Sequence, residues 1–131
     1  MVERFHSSAI ARTMGMRIEY DDEARAVVHW GPERSYDHIM EDVHGGVFAT
    51  LLDNAGWFTV AAHYTHWIVT AEMQTRFLSP AGGEAIHARG EAVRTGRRLA
   101  VAEMKLWNQS GRLCAIGSGT FAVTDSPYPE S

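Results

Sequence analysis

The residues in this chain that packing explains least are His44-Gly45-Gly46 and, nine positions after the histidine, Asp53, all within a stretch otherwise rich in apolar side chains. Adjacent glycines at the start of a helix leave backbone N–H groups unshielded, where the first donors lack intrahelical partners and the helix dipole favours negative charge. Such a terminus either receives a developing oxyanion or simply makes the turn into the helix, and both readings stand at this point. Asp53 poses a sharper question. An ionised carboxylate in an apolar helix costs several kcal/mol unless it is paired, neutralised, open to a cavity or at work. It is either a hydrogen-bonded interface residue beside Asn54 or a catalytic group. A carboxylate and one preorganised donor together suffice for acyl transfer from a good leaving group, without a Ser-His-Asp triad. No triad is offered: Gly117-Ser118-Gly119 lacks the spacing of a nucleophile elbow. His44 orients the loop by hydrogen bonding in this reading, because Asp53 already supplies a proton acceptor.

The elements that must hold these residues follow from periodicity. Phe5, Ala9, Ile10 and Thr13 recur at helical spacing, predicting one N-terminal helix over about 2–14. Met16 to Tyr20 and Arg25 to Trp30 flank the polar turn Asp21-Asp22-Glu23 and read as a hairpin, and Gly31-Pro32 ends it. Residues 33–43 read as a loop. From Gly45 to about residue 63, apolar side chains fill almost every face of a helix about 27 Å long. A helix of that kind must be wrapped. Four strand-like runs follow, Ile68 to Leu78, Glu84 to Arg94, Arg98 to Trp107 and Leu113 to Val123, separated by Gly-, Pro- and Asn-containing turns. Small residues at matched parity, Ala88-Gly90-Ala92, Ala100-Ala102 and Ala115-Gly117-Gly119, predict a sheet face that closes tightly on the helix. The architecture is α+β, an antiparallel sheet curled round a long central helix, in a single domain over 1–131.

The residues resemble the hotdog-fold thioesterases, in particular the phenylacetate-pathway-like group with its His-Gly-Gly motif. The resemblance rests on Val43-His44-Gly45-Gly46, on Asp53, and on Thr70 ten positions before Pro80. Gly96 to Ala100, Ser110-Gly111-Arg112 and Gly117 to Phe121 extend it over about residues 14–124. It implies hydrolysis of a small, medium-chain or aryl acyl-CoA in a site shared across a dimer interface, with a dimer of dimers as the larger assembly. Carried over by position, Gly45 N–H polarises the thioester carbonyl and Asp53 of the facing subunit is base or nucleophile. Thr70 matches a hydroxyl that orients water. His38 stands where the family has Asn or Gln, and Trp57 where some relatives carry a hydroxyl, which implies an altered acyl pocket. Gly46 and Trp57 are expected at the substrate, with Arg76, Arg97 and Arg98 at the CoA phosphates. A non-catalytic acyl-CoA-binding hotdog domain and an enoyl-CoA hydratase or dehydratase, kept in view by His38 and His44, are the alternative functions.

Composition sets outer limits. The 131 residues carry a net charge of −4, which gives no broad attraction to nucleic acid or anionic membrane. The charge is uneven: residues 1–71 hold five Arg against ten acids, while residues 72–131 hold seven basic against six acidic groups. An anionic ligand should therefore dock mainly on the second half. The single Cys114 forms no internal disulfide and reads as a small core residue, His63 and His66 lack a third zinc ligand, and His29 and His87 read as strand-surface residues. No metal and no cofactor beyond the CoA of the substrate is expected. The first residues lack a signal-peptide profile, so a cytoplasmic location is the expectation. Edge strands left open by one curled sheet predict self-association as a homodimer.

Overall fold

The computed structural model describes residues 1–129. Two short helices, α1 (Val2–Ser7) and α2 (Ala9–Met14), precede a hairpin of β1 (Arg17–Tyr20) and β2 (Ala26–Trp30). A 3-10 turn (Arg34–Tyr36) leads to the long helix α3 (Gly45–Ala61), then to β3 (His66–Phe77), β4 (Ile86–Thr95), β5 (Leu99–Asn108) and β6 (Leu113–Pro127). All six strands form one antiparallel sheet in the order β1-β2-β4-β5-β6-β3. The sheet curls round α3 in the hotdog arrangement.

Three expectations are corrected in detail. The N-terminal helix over 2–14 is two helices, because Ser8 is extended (φ −70°, ψ 146°) and turns its hydroxyl to cap α2 by accepting from Ala11 N–H. A serine that can hydrogen-bond nearby backbone competes with helix continuation, which breaks the run there. The central helix stops at Ala61 instead of about 63, and the chain turns through His63-Tyr64, with Tyr64 Oη donating to the Gly96 carbonyl (2.6 Å). Within residues 33–43 the chain is more ordered than a plain loop, with the 3-10 turn and a bridge between Asp37 and Val43.

The apolar composition of α3 does not mean burial all round. Val47, Phe48, Leu51, Leu52, Ala55, Gly56, Thr59, Val60 and Ala61 are buried against the sheet. Gly46, Ala49, Thr50, Asp53, Asn54 and Trp57 recur three and four apart and form a face that the chain covers only in part, with Gly46 exposed. Asp53 thus lies on a real open stripe, not in a helix without a polar side.

Close approach of helix to sheet is concentrated at one point. A Cβ on Gly90 of β4 would overlap the Ala55 carbonyl and sit 2.6 Å from Thr59 Oγ1. Thr59 uses the contact: its hydroxyl donates to Ala55 O (2.7 Å) and accepts from Ala26 N–H (2.9 Å), tying α3 to the start of β2. At Gly117 the small side chain serves a different purpose. Its Cβ would collide with the Gln74 carbonyl of β3, so this glycine makes room for a neighbouring strand, not for the helix. Opposite, β3 forms the sheet edge, paired only with β6, and exposes Trp67, Val69 and Phe77. A twelve-residue edge strand that exposes these apolar side chains is a template for another chain.

Gly90→Ala forces a methyl group into the helix backbone and should cost about 3 kcal/mol of stability. Urea unfolding will register this as a lower midpoint at unchanged slope; an unchanged midpoint would remove Gly90 as the fulcrum of the packing.

Candidate active site

His44 is the N-cap of α3, and its Nδ1 accepts from Gly46 N–H (2.8 Å). An accepting Nδ1 puts the neutral ring's proton on Nε2. One of the two glycine donors is therefore used by the cap. Among the described residues no acceptor takes the Gly45 N–H, which is left at the positive end of a seventeen-residue helix. The Phe77 ring lies against Gly45, so that a Cβ there would be 3.1 Å from Cε1. Glycine at this position keeps the ring close and the backbone approachable.

Two turns on, Asp53 is half-buried, and its carboxylate accepts from Thr70 Oγ1 at 2.8 Å. No cation pairs with it among the described residues. Burial raises its pKa above the ordinary aspartate value, and the Thr70 hydrogen bond pulls in the opposite direction. Thr70 reaches the carboxylate from β3 at a register shift between Thr70 and Glu72. Bulges of this kind re-aim side chains beside sites. Asn54, the sequence's other partner for Asp53, turns away and donates to Thr50 O (2.8 Å).

Asp53 is one of the residues that line a cavity of about 460 Å³ whose walls are mainly apolar. Trp57 is fixed by Nε1–H donating to Ile68 O (2.9 Å) and packs on Phe58 and Trp67 with ring centroids 4.6 and 5.2 Å away. Tyr128 closes the cluster, 6.3 Å from Trp67. Arg4 lies over the Tyr128 ring and donates to Pro129 O (2.6 Å). Trp57 was legible as a pocket residue. Phe58, Trp67, Tyr128 and Arg4 were not, because they come from α3, β3, the segment after β6 and α1 and share no motif.

The remaining predicted residues do not converge within one chain. His38 Nδ1 accepts from Met40 N–H (3.0 Å) in the turn before α3. Arg76 lies next to Phe77 on β3 but on the other face of the sheet, turned away from the helix, in a cavity shared with Glu103, Lys105 and Ser118. Arg97 and Arg98 are exposed in the β4–β5 turn, next to the Gly96 carbonyl that Tyr64 binds beyond the other end of α3. Most decisively, Gly45 and Asp53 are eight residues apart on one straight helix, about 12 Å at 1.5 Å per residue. Groups that attack and stabilise one carbonyl must each lie about 3 Å from it.

The comparisons with known proteins agree with this architecture. A family model described as the thioesterase superfamily matches residues 40–115. The chain belongs to that superfamily. A protein of Halobacterium salinarum that carries an esterase name is 30% identical over 120 residues, covering 84% of this chain and 73% of its own. A Bacillus halodurans protein solved with CoA superposes with a TM-score of 0.86 at 27% identity, over 95% of this chain and 83% of its own. The Escherichia coli PaaI protein of the phenylacetic acid degradation operon shares the fold, with a TM-score of 0.87 at 22% identity over 95% and 91% of the two chains. Among the described residues no helix is long and apolar enough to cross a membrane.

The raised pKa of Asp53 has a consequence for stability. Between the ordinary aspartate value and the raised one, the folded state holds the proton more tightly than the unfolded chain, so stability falls as pH rises through that window. Asp53→Asn should therefore melt higher than the wild type at pH 7. The gain should shrink as pH falls and vanish below the ordinary aspartate range, as thermal scans across pH will test.

Proposed function

We propose that the protein hydrolyses a small, medium-chain or aryl acyl-CoA to the free acid and CoA, in a site built from two copies of the chain. The observation that carries the reading is the Asp53 carboxylate, bonded to Thr70, lining an apolar cavity and paired with no cation among the described residues. Asp53 takes a proton from water, and the hydroxide adds to the thioester carbon. The oxyanion that forms accepts from Gly45 N–H of the facing copy. Collapse expels CoA thiolate, which regains the proton. In the nucleophilic variant of the same chemistry Asp53 adds to the carbonyl directly, CoA leaves, and water cleaves the mixed anhydride; when that water attacks the Asp53 carbonyl, single turnover in oxygen-18 water labels Asp53, which the general-base route never does. His44 orients Gly46 and the helix start. CoA bound to the Bacillus halodurans relative supports the choice of carrier.

The 12 Å between Gly45 and Asp53 along one helix is what favours two copies. Two α3 helices running antiparallel across a two-fold axis bring Gly45 of each beside Asp53 of the other, giving two equal sites. Residues whose numbers sum to 98 then face each other, and Ala49 faces its own copy. The β4–β5 turn of one copy comes to the same end as Gly45 of the other, a reach suited to the phosphates of one CoA. His38, Gly46 and Trp57 line the approach in this reading.

Thiol release from a panel of acyl-CoAs tests the proposal. Asp53→Ala should lower kcat by about a thousandfold, in the range expected for loss of a general base. Equal turnover in that variant removes the role of Asp53, and tight acyl-CoA binding without thiol release would favour the binding-domain alternative. Thr70→Ala deletes the hydrogen bond that lowers the Asp53 pKa. The acid limb of kcat/KM should move to higher pH, since the base then ionises later. Ala49→Arg sets two cations against each other at the axis and should yield an inactive monomer by light scattering, with the circular dichroism of the folded chain retained.

A further inference from the structure

The turn that precedes α3 displays two large apolar side chains to solvent, Ile39 at 94% and Met40 at 79% exposure. It is not a loose loop. His38 N–H donates to Asp42 O (2.8 Å), Glu41 N–H returns to His38 O (2.9 Å), and Met40 N–H is held by His38 Nδ1. The Asp42 carboxylate binds Val43 N–H on one oxygen and Gly82 N–H on the other, clamping the base of the turn. Glu41 accepts a left-handed conformation (φ 60°) to close it. A clamped turn that holds two hydrophobic side chains in water has the form of a plug whose socket lies elsewhere.

The socket is on the same molecule but out of reach. The cavity of Trp57, Phe58, Trp67 and Tyr128 opens on the partly covered face of α3. Gly46 and Trp57 are eleven residues apart on that helix, about 16 Å, so a chain cannot fill its own cavity with its own turn. Two-fold pairing changes this. With Gly45 beside the partner's Asp53, the turn before α3 lies beyond the start of its own helix, on the side toward the partner's Trp57 and Phe58. The turn carries the acidic Glu41, and Arg4 is among the residues that line the cavity, so the charges match as well.

We infer that the Ile39–Met40 tip of each copy inserts at the mouth of the aromatic cavity of the other, completing the acyl pocket and shielding the thioester from bulk water. The inference rests on the cross-copy pairing of Gly45 and Asp53 proposed above. Ile39 and Met40 are then specificity-determining residues, and His38, whose ring holds the tip's backbone, is a positioning residue for them. A bulky apolar acyl group meets the tip; an acetyl group is too short to do so.

Two measurements on the full chain decide it. In Met40→Cys/Trp57→Cys protein a short bismaleimide should give a covalent dimer as the main product on a denaturing gel. Met40→Cys alone and Trp57→Cys alone should stay uncoupled, since two copies of Trp57, each eight residues from Ala49, lie about 24 Å apart along the paired helices and the two tips lie beyond opposite ends of the pair. The buried Cys114 does not compete. In Ile39→Ser/Met40→Ser protein the ratio of kcat/KM for a phenylacetyl- or octanoyl-CoA to that for acetyl-CoA should fall at least tenfold. Absence of the paired cross-link in a protein that light scattering shows to be dimeric, a monomer in solution, or an unchanged ratio in an active enzyme each overturns the inference. A wild type that releases no thiol from any acyl-CoA defeats the hydrolase reading instead, and the cross-link still decides where the tip sits.

Discussion

The backbone contact between α3 and β4 at Gly90 is the constraint on which the rest of the molecule depends. By letting the helix backbone settle against the strand, it fixes which face of α3 is buried and hence which face is left open. The buried face carries the core, from Val47 to Ala61. The open face carries Asp53, and Thr59, on the buried side, is pinned by the same contact through its bonds to Ala55 and Ala26. A helix held this rigidly cannot bend its N-terminal donor toward its own carboxylate. The packing that makes the core therefore also keeps the Gly45 N–H and the Asp53 carboxylate, the two groups proposed for the chemistry, about 12 Å apart.

That separation explains features that look like defects in an isolated chain. The β3 edge exposes Trp67, Val69 and Phe77, the aromatic cavity opens sideways, and the turn before α3 holds two apolar side chains in water. Each is costly or hazardous alone. Each becomes reasonable if a second copy lies against the same side of the molecule, because an isologous contact covers every such feature twice. The raised pKa of Asp53 belongs to the same logic: burial weakens hydration of the carboxylate and keeps it a stronger base than a free aspartate.

Much of this was legible in the residues. The strands after α3 announce themselves by alternation and by Gly-rich turns, and the His-Gly-Gly start and Asp53 stood out because neither fits an apolar helix. What the sequence misjudged was local competition and long-range assembly. Ser8 broke a helix that periodicity would continue, since its hydroxyl offers the backbone another partner. The open stripe on α3 was hidden by its composition, because a residue such as Ala49 reads as core until the sheet's coverage is known. The cavity walls were invisible for a plainer reason: Arg4, Phe58, Trp67 and Tyr128 meet only in three dimensions.

The central claim is that one site is made by two copies, and complementation between two inactive variants tests it most directly. Asp53→Ala lacks the carboxylate. Gly45→Pro lacks the N–H donor, at a first helical position that suits the fixed φ of proline, and the exposed Phe77 ring must shift to admit the added carbons. Each should be inactive alone. Co-expressed in equal amounts, they form mixed dimers in which the intact Gly45 of one chain meets the intact Asp53 of the other. With random pairing, half the dimers are mixed and one site in two is whole, so thiol release should recover to about one quarter of the wild-type rate. A mixture as inactive as its parents would contradict the account, because it would mean that both groups must come from the same chain.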